Sequence, residues 1–125
     1  MHPFLPLIVV LACFPFLSGC VSTADFKVVE ALAIGMSQEE AKATIASYGF
    51  TMAEAFDRPE GGWPSERENF QATRWRAGRE EAHLGKQVSR VEFYPVGHGL
   101  LGYGQLFLFY GEDGRLLDFH RYQIN

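Results

Sequence analysis

The residues best suited to chemistry are the histidines His83, His98 and His120 and three adjacent pairs of carboxylates. An imidazole can act as base, acid or metal ligand near neutral pH. Acid–base or nucleophilic catalysis also needs a second group to orient it and a reacting atom in reach. Zinc needs ligands spaced to meet, as two histidines one helical turn apart do. Here the three histidines are separated by Gly-rich or strand-like sequence, and none forms such a pair. The carboxylates fit quieter roles: Glu39-Glu40 a helix cap, Glu80-Glu81 a solvated loop, Glu112-Asp113 a turn. The stretch Gly97-His98-Gly99-Leu100-Leu101-Gly102-Tyr103-Gly104 has the glycines of a phosphate loop. It lacks the following Lys, Ser/Thr and helix start that would complete one. A flexible turn is the expectation, and the chain reads as a non-enzyme with no metal and no dissociable cofactor. An enzyme using His98 or His120 is the third-ranked reading.

The remaining reactive side chains are two thiols, Cys13 and Cys20. Cys13 lies within Phe4 to Phe16, an almost wholly apolar run containing Pro6 and Pro15. A bilayer span needs about 20 apolar residues, so this run is too short for a permanent membrane helix. A short apolar core followed by small residues is the layout of a signal peptide. It ends in Leu17-Ser18-Gly19-Cys20, which resembles the lipobox of bacterial lipoproteins. The resemblance implies cleavage before Cys20, a diacylglyceryl group on its thiol and an acylated amine (palmitate-type chains). Residues 1–19 would be removed and 20–125 retained as a single lipid-anchored domain. Val21 follows the cysteine where Asp marks inner-membrane retention in enteric bacteria, so the resemblance implies the outer membrane, periplasm-facing. Two or three acyl chains anchor stably, whereas one is marginal.

All 11 Lys and Arg and all 15 Asp and Glu follow position 20, so removal of the apolar start leaves the net charge at −4. A mildly acidic chain with interspersed signs has no electrostatic footprint for nucleic acid and no polybasic block for anionic lipid. With Cys13 removed, the domain has no internal disulfide and depends on its core.

Two N-terminal helices are expected. Ser22 or Thr23 can cap the first, with Asp25 in its opening turn, a stripe of Phe26, Val29, Leu32 and Ala33, and Gly35 at its end. The second, over 37–48, opens on a capping box of Ser37 and Glu40 and closes on Gly49, with Phe50 folding back on Ile45. The run Ile34-Gly35-Met36-Ser37-Gln38-Glu39-Glu40-Ala41, with Gly49 beyond, resembles the corresponding segment of the SmpA/OmlA (BamE-like) small lipoproteins. Ala41 stands for the usual Val, and Phe50-Thr51 for Thr/Ser-Pro. The resemblance implies two helices packed on an antiparallel sheet, as in beta-lactamase inhibitor proteins.

Further along, strands are expected over Thr51 to Phe56, Phe70 to Ala77, Val88 to Tyr94, Gln105 to Tyr110 and Arg115 to Ile124. In the second, Trp75 points inward while Arg74 and Arg76 lie on a solvated face. Gly78 to Lys86 reads as a charged connection, and Pro95 as the stop of the third strand. The last two strands form a hairpin about Asp113-Gly114. The first of this pair is apolar on both faces and so central, or covered by helices on one side and a partner on the other. The second ends as a sheet edge.

The expected fold is therefore α+β, two N-terminal helices on a four- to five-stranded antiparallel sheet. Trp63, between Gly62 and Pro64, is either a tucked loop anchor or an exposed contact. With Leu100, Leu101 and Tyr103 it makes up the candidate partner surface. The expected function is that of a non-catalytic envelope lipoprotein. It would bind a protein partner as an accessory to outer-membrane protein assembly or envelope integrity, as the BamE-like resemblance implies. The alternative is a periplasmic inhibitor or ligand-binding module that blocks an enzyme through its loops.

Overall fold

In a computed structural model of the chain, the described residues are 24–67, 72–97 and 103–124. They form helix α1 (24–31), helix α2 (Gln38–Ser47), strand β1 (Glu54–Asp57), helix α3 (Ala72–Leu84) and strands β2 (Arg90–Val96), β3 (Tyr103–Tyr110) and β4 (Leu116–Ile124). The strands make one antiparallel sheet in the order β1-β2-β3-β4. This is the α+β fold expected, with β3 inside and β4 at an edge.

The capping residues set α2. The Ser37 hydroxyl accepts from the Glu40 N–H at 3.1 Å, satisfying a backbone donor that the first turn leaves free. At the other end Gly49 adopts φ +88°. The Phe50 N–H then returns to the Ile45 carbonyl, and Phe50 is buried with Ala41 and Ile45. In α1 and just after it the buried stripe is Asp25, Val28 and Leu32, not one through Phe26 and Ala33. Phe26 is 53% exposed, and the helix ends four residues before Gly35.

The core lies in two layers, one on each side of the sheet. Val28, Leu32, Ala41 and Ile45 from α1 and α2 meet Tyr94, Leu106, Leu108, Tyr110 and Leu116 on the first face. Ala77 of α3 meets Val88, Val91, Phe107 and Phe109 on the second, with Phe56, Trp63, Phe93 and Tyr122 around them. Residues 106–110 are all buried, each stabilising the fold by roughly 1.5–3 kcal/mol of apolar burial. The unbroken apolar run of β3 is thus covered on both sides by this chain's own helices.

Helix α3 corrects the expected strand over Phe70 to Ala77 and the charged connection after it. Its buried positions, Thr73, Ala77 and Glu80, follow helical spacing, but only one is apolar. The period is therefore invisible to hydrophobicity, and a chance alternation around Trp75 imitates a strand. Gly78 does not break the helix. A Cβ there would lie 2.6 Å from the Pro64 carbonyl oxygen, so glycine allows the loop to approach the helix. Trp75 does not point into the sheet: it is half-buried, with the guanidinium of Arg79 4.8 Å from its ring. Nor does Pro95 stop β2. It pairs with Gln105 on one side, and on the other the β1 ladder reaches no further along β2 than Phe93, opposite Glu54. Position 95 is thus locally an edge, where proline costs no ladder bond.

Candidate functional site

Strand alternation places Asp118, His120 and Tyr122 of β4 on the face that α3 covers. His120 lies opposite Phe107 and Asp118 opposite Phe109 in the register. Helical spacing brings Glu80 down onto the same place, one turn after Ala77. The His120 Nδ1 lies 2.9 Å from Glu80 Oε1 and its Nε2 lies 3.1 Å from Asp118 Oδ2. The Tyr122 hydroxyl is 3.2 Å from Nδ1, and the other Asp118 oxygen accepts from the Phe119 N–H at 2.8 Å. Each ring nitrogen thus faces one carboxylate oxygen, and a ring nitrogen can serve as donor, acceptor or metal ligand.

Hydrogen bonding is incomplete at Glu80. Its side chain is 8% exposed, and Oε2 is buried without a hydrogen-bond partner among the described residues. A buried acceptor left unmade costs about 1–3 kcal/mol. Burial raises the Glu80 pKa above the ordinary carboxylate value, His120 opposes the rise, and Asp118 adds to it. An opening of about 240 Å³ lies over the cluster, lined by Arg76, Arg79, Glu80, His83, His120 and Tyr122. The Arg76 guanidinium stacks 3.6 Å from the Tyr122 ring centre, and its buried Nε also has no hydrogen-bond partner among the described residues.

A second buried carboxylate sits on the opposite face. Glu92 accepts from the Tyr94 hydroxyl at 3.1 Å and from Arg90 Nε at 3.0 Å, one bond to each oxygen. Arg90 also reaches Asp57. Burial first, and the Glu92 charge second, push the Tyr94 and Tyr110 hydroxyls well above the ordinary tyrosine pKa. This network is closed, apart from the Tyr110 hydroxyl, which has no partner among the described residues.

A third polar contact ties α1 to β4. Asp25 and Arg121 form a buried ion pair, and the Arg121 guanidinium lies 4.3 Å from the Phe26 ring centre. Glycine makes room for it on both sides. A Cβ at Gly97 would meet Asp25 Oδ2 at 2.9 Å, and one at Gly104 would meet the Arg121 guanidinium at 2.8 Å.

Several residues singled out from sequence have definite places. The Trp63 indole packs in the second core layer, and its Nε1 donates to the Val88 carbonyl at 2.7 Å, as a tucked loop anchor does. Cys20, His98, Leu100 and Leu101 lie outside the described residues. Tyr103 is described through its backbone, which opens β3 opposite Ile124. His83 is exposed at the rim of the opening.

The expected solvated loop at Glu80-Glu81 is incorrect for both residues. Glu80 is buried, and Glu81 binds Arg58 at 2.7 Å and the Val88 N–H at 3.1 Å. Arg74 and Arg76 are half-buried rather than on a solvated face, with Arg74 over the Phe56 ring. The cluster is hidden in the sequence because the polar residues Thr73 and Glu80 at buried positions mask the helix that carries Glu80. The alternation of Asp118, His120 and Tyr122 was the available signal.

No protein-family model, curated protein or solved structure matches the chain.

Proposed function

We propose that the protein is a lipid-anchored envelope protein, held at Cys20 to the outer membrane and facing the periplasm. In this reading it acts as a non-catalytic, protein-binding accessory, in outer-membrane protein assembly or envelope integrity. The observation that carries the proposal is Leu17-Ser18-Gly19-Cys20 at the close of an uncharged apolar run. Residue 24 is already helical, and an extended chain covers at most about 3.5 Å per residue. A lipid on Cys20 would hold α1 close to the bilayer surface. The binding role rests on the resemblance of Ile34-Gly35-Met36-Ser37-Gln38-Glu39-Glu40-Ala41, with Gly49, to the BamE-like segment.

Metabolic labelling with a fatty acid tests the anchor. Cys20→Ser should accumulate as an unlabelled, uncleaved precursor. A variant processed at the same place and still partitioning into detergent would end the lipobox reading. Cross-linking in intact envelopes tests the role. Capture of outer-membrane assembly proteins is expected, whereas capture of only a soluble hydrolase would favour an inhibitor instead.

A further inference from the structure

The cluster between α3 and β4 has a use that an envelope accessory does not require. Three chemically suitable donors converge there from distant parts of the sequence: a ring nitrogen of His120, an oxygen of Glu80 and an oxygen of Asp118, all within 4.8 Å of one another. That spread is small enough for one ion bound at about 2.0–2.2 Å from each donor to reach all three after small side-chain adjustments. A second observation points the same way. Glu80 is more than nine-tenths buried, yet Oε2 has no hydrogen-bond donor among the described residues. A carboxylate is seldom taken out of water and left half-satisfied unless another group completes it.

We infer that Glu80, Asp118 and His120 form a binding site for a divalent metal ion of the zinc class. Two carboxylates and a neutral imidazole carry the charge that one divalent ion balances, which a single imidazolium does not. The mixed nitrogen and oxygen donors suit zinc better than calcium or magnesium, which take oxygen. Only one ring nitrogen of His120 is needed. The other carries the proton, which fixes the tautomer of a metal-binding imidazole.

Three protein ligands leave a position open towards the 240 Å³ opening, where water would complete a tetrahedral set. Arg76 and Arg79 line that opening. Their charge opposes any cation that the two carboxylates do not hold, and on a bound ion it favours an anionic fourth ligand such as hydroxide. The ion would tie α3 to the sheet edge at the point where their contact is otherwise incomplete.

The test uses the full chain purified in detergent, stripped with a chelator and titrated with zinc chloride. One saturable event per chain is expected, with a rise in melting temperature and a shift of the His120 ring-nitrogen resonances. Asp118→Asn and His120→Ala should each weaken binding by ~10-fold or more. Binding left undiminished by both substitutions would overturn the site, because the ion would then sit elsewhere. Absence of saturable binding would overturn it equally. Should either variant fail to fold, the wild-type spectrum decides. Zinc that saturates the chain without moving the His120 resonances refutes the assignment.

Discussion

Each face of the sheet buries one glutamate, and the two are treated in opposite ways. On the α1/α2 face, each Glu92 oxygen has a donor, one from Tyr94 and one from Arg90. On the α3 face, Glu80 shares an imidazole with Asp118 and keeps one oxygen without a donor among the described residues. Both groups are about equally buried, at 4% and 6% exposure, so burial alone does not separate them. Satisfaction does. A closed network stabilises and specifies a core, whereas an open one beneath a surface opening has capacity left for a ligand.

The largest effects should test whether both faces are true core. Phe107→Ala and Leu108→Ala empty adjacent positions of β3 on opposite faces, and each should cost about 3–5 kcal/mol in denaturant unfolding. A loss below about 1 kcal/mol for Phe107→Ala would mean that α3 does not cover its face as the Leu108 side is covered.

Alkaline titration probes the α1/α2 face next. The folded pKa values of Tyr94 and Tyr110 are raised above the ordinary 10.0. Their contribution is therefore complete below pH 10 and is lost as pH rises from 10 towards the folded values. The ring resonances of Tyr94 and Tyr110 should change together with circular dichroism, because their ionisation requires opening of that face. Ionisation of either ring near pH 10 with the fold intact would show the network to be open to solvent.

Glu92→Gln should cost about 2 kcal/mol, since it weakens two hydrogen bonds to a charged acceptor. Gly78→Ala should cost about 1–2 kcal/mol through overpacking against Pro64, although alanine ordinarily favours a helix. A gain in melting temperature would show that the Trp63-Pro64 loop does not press on α3. The smallest effect is expected from Glu80→Gln without added metal, within about 1 kcal/mol of wild type. Its carboxyl is already displaced towards the protonated form, and Oε2 has no bond to lose. A cost equal to that of Glu92→Gln would erase the distinction between the faces.

The same contrast explains what could be read from the sequence. The α1/α2 side was largely legible because its signals are local. Ser37 and Glu40 cap a helix, Gly49 closes it, and Gly114 turns the β3–β4 hairpin with φ +76°. The α3 side depends on contacts between distant residues. Thr73 and Glu80 occupy buried helical positions that apolar residues usually mark. Gly78 serves a close approach that has no meaning without Pro64 beside it. Asp118, His120 and Tyr122 were visible as one face of a strand, but their partner was hidden in a segment assigned to a loop. Trp63 could be narrowed to two roles, and the Val88 carbonyl 25 residues away selected one.

The Asp25–Arg121 pair has a mechanical consequence. If a lipid on Cys20 tethers the chain, any pull from the membrane reaches α1 first. Asp25 passes that load to β4, which is laddered to β3 from Tyr103 to Tyr110. The first helix cannot peel away to lengthen the leash without breaking a buried ion pair between two crowded glycines. The domain would then travel as rigid cargo on a short tether, and the volume it can search is set by the few residues between the lipid and α1.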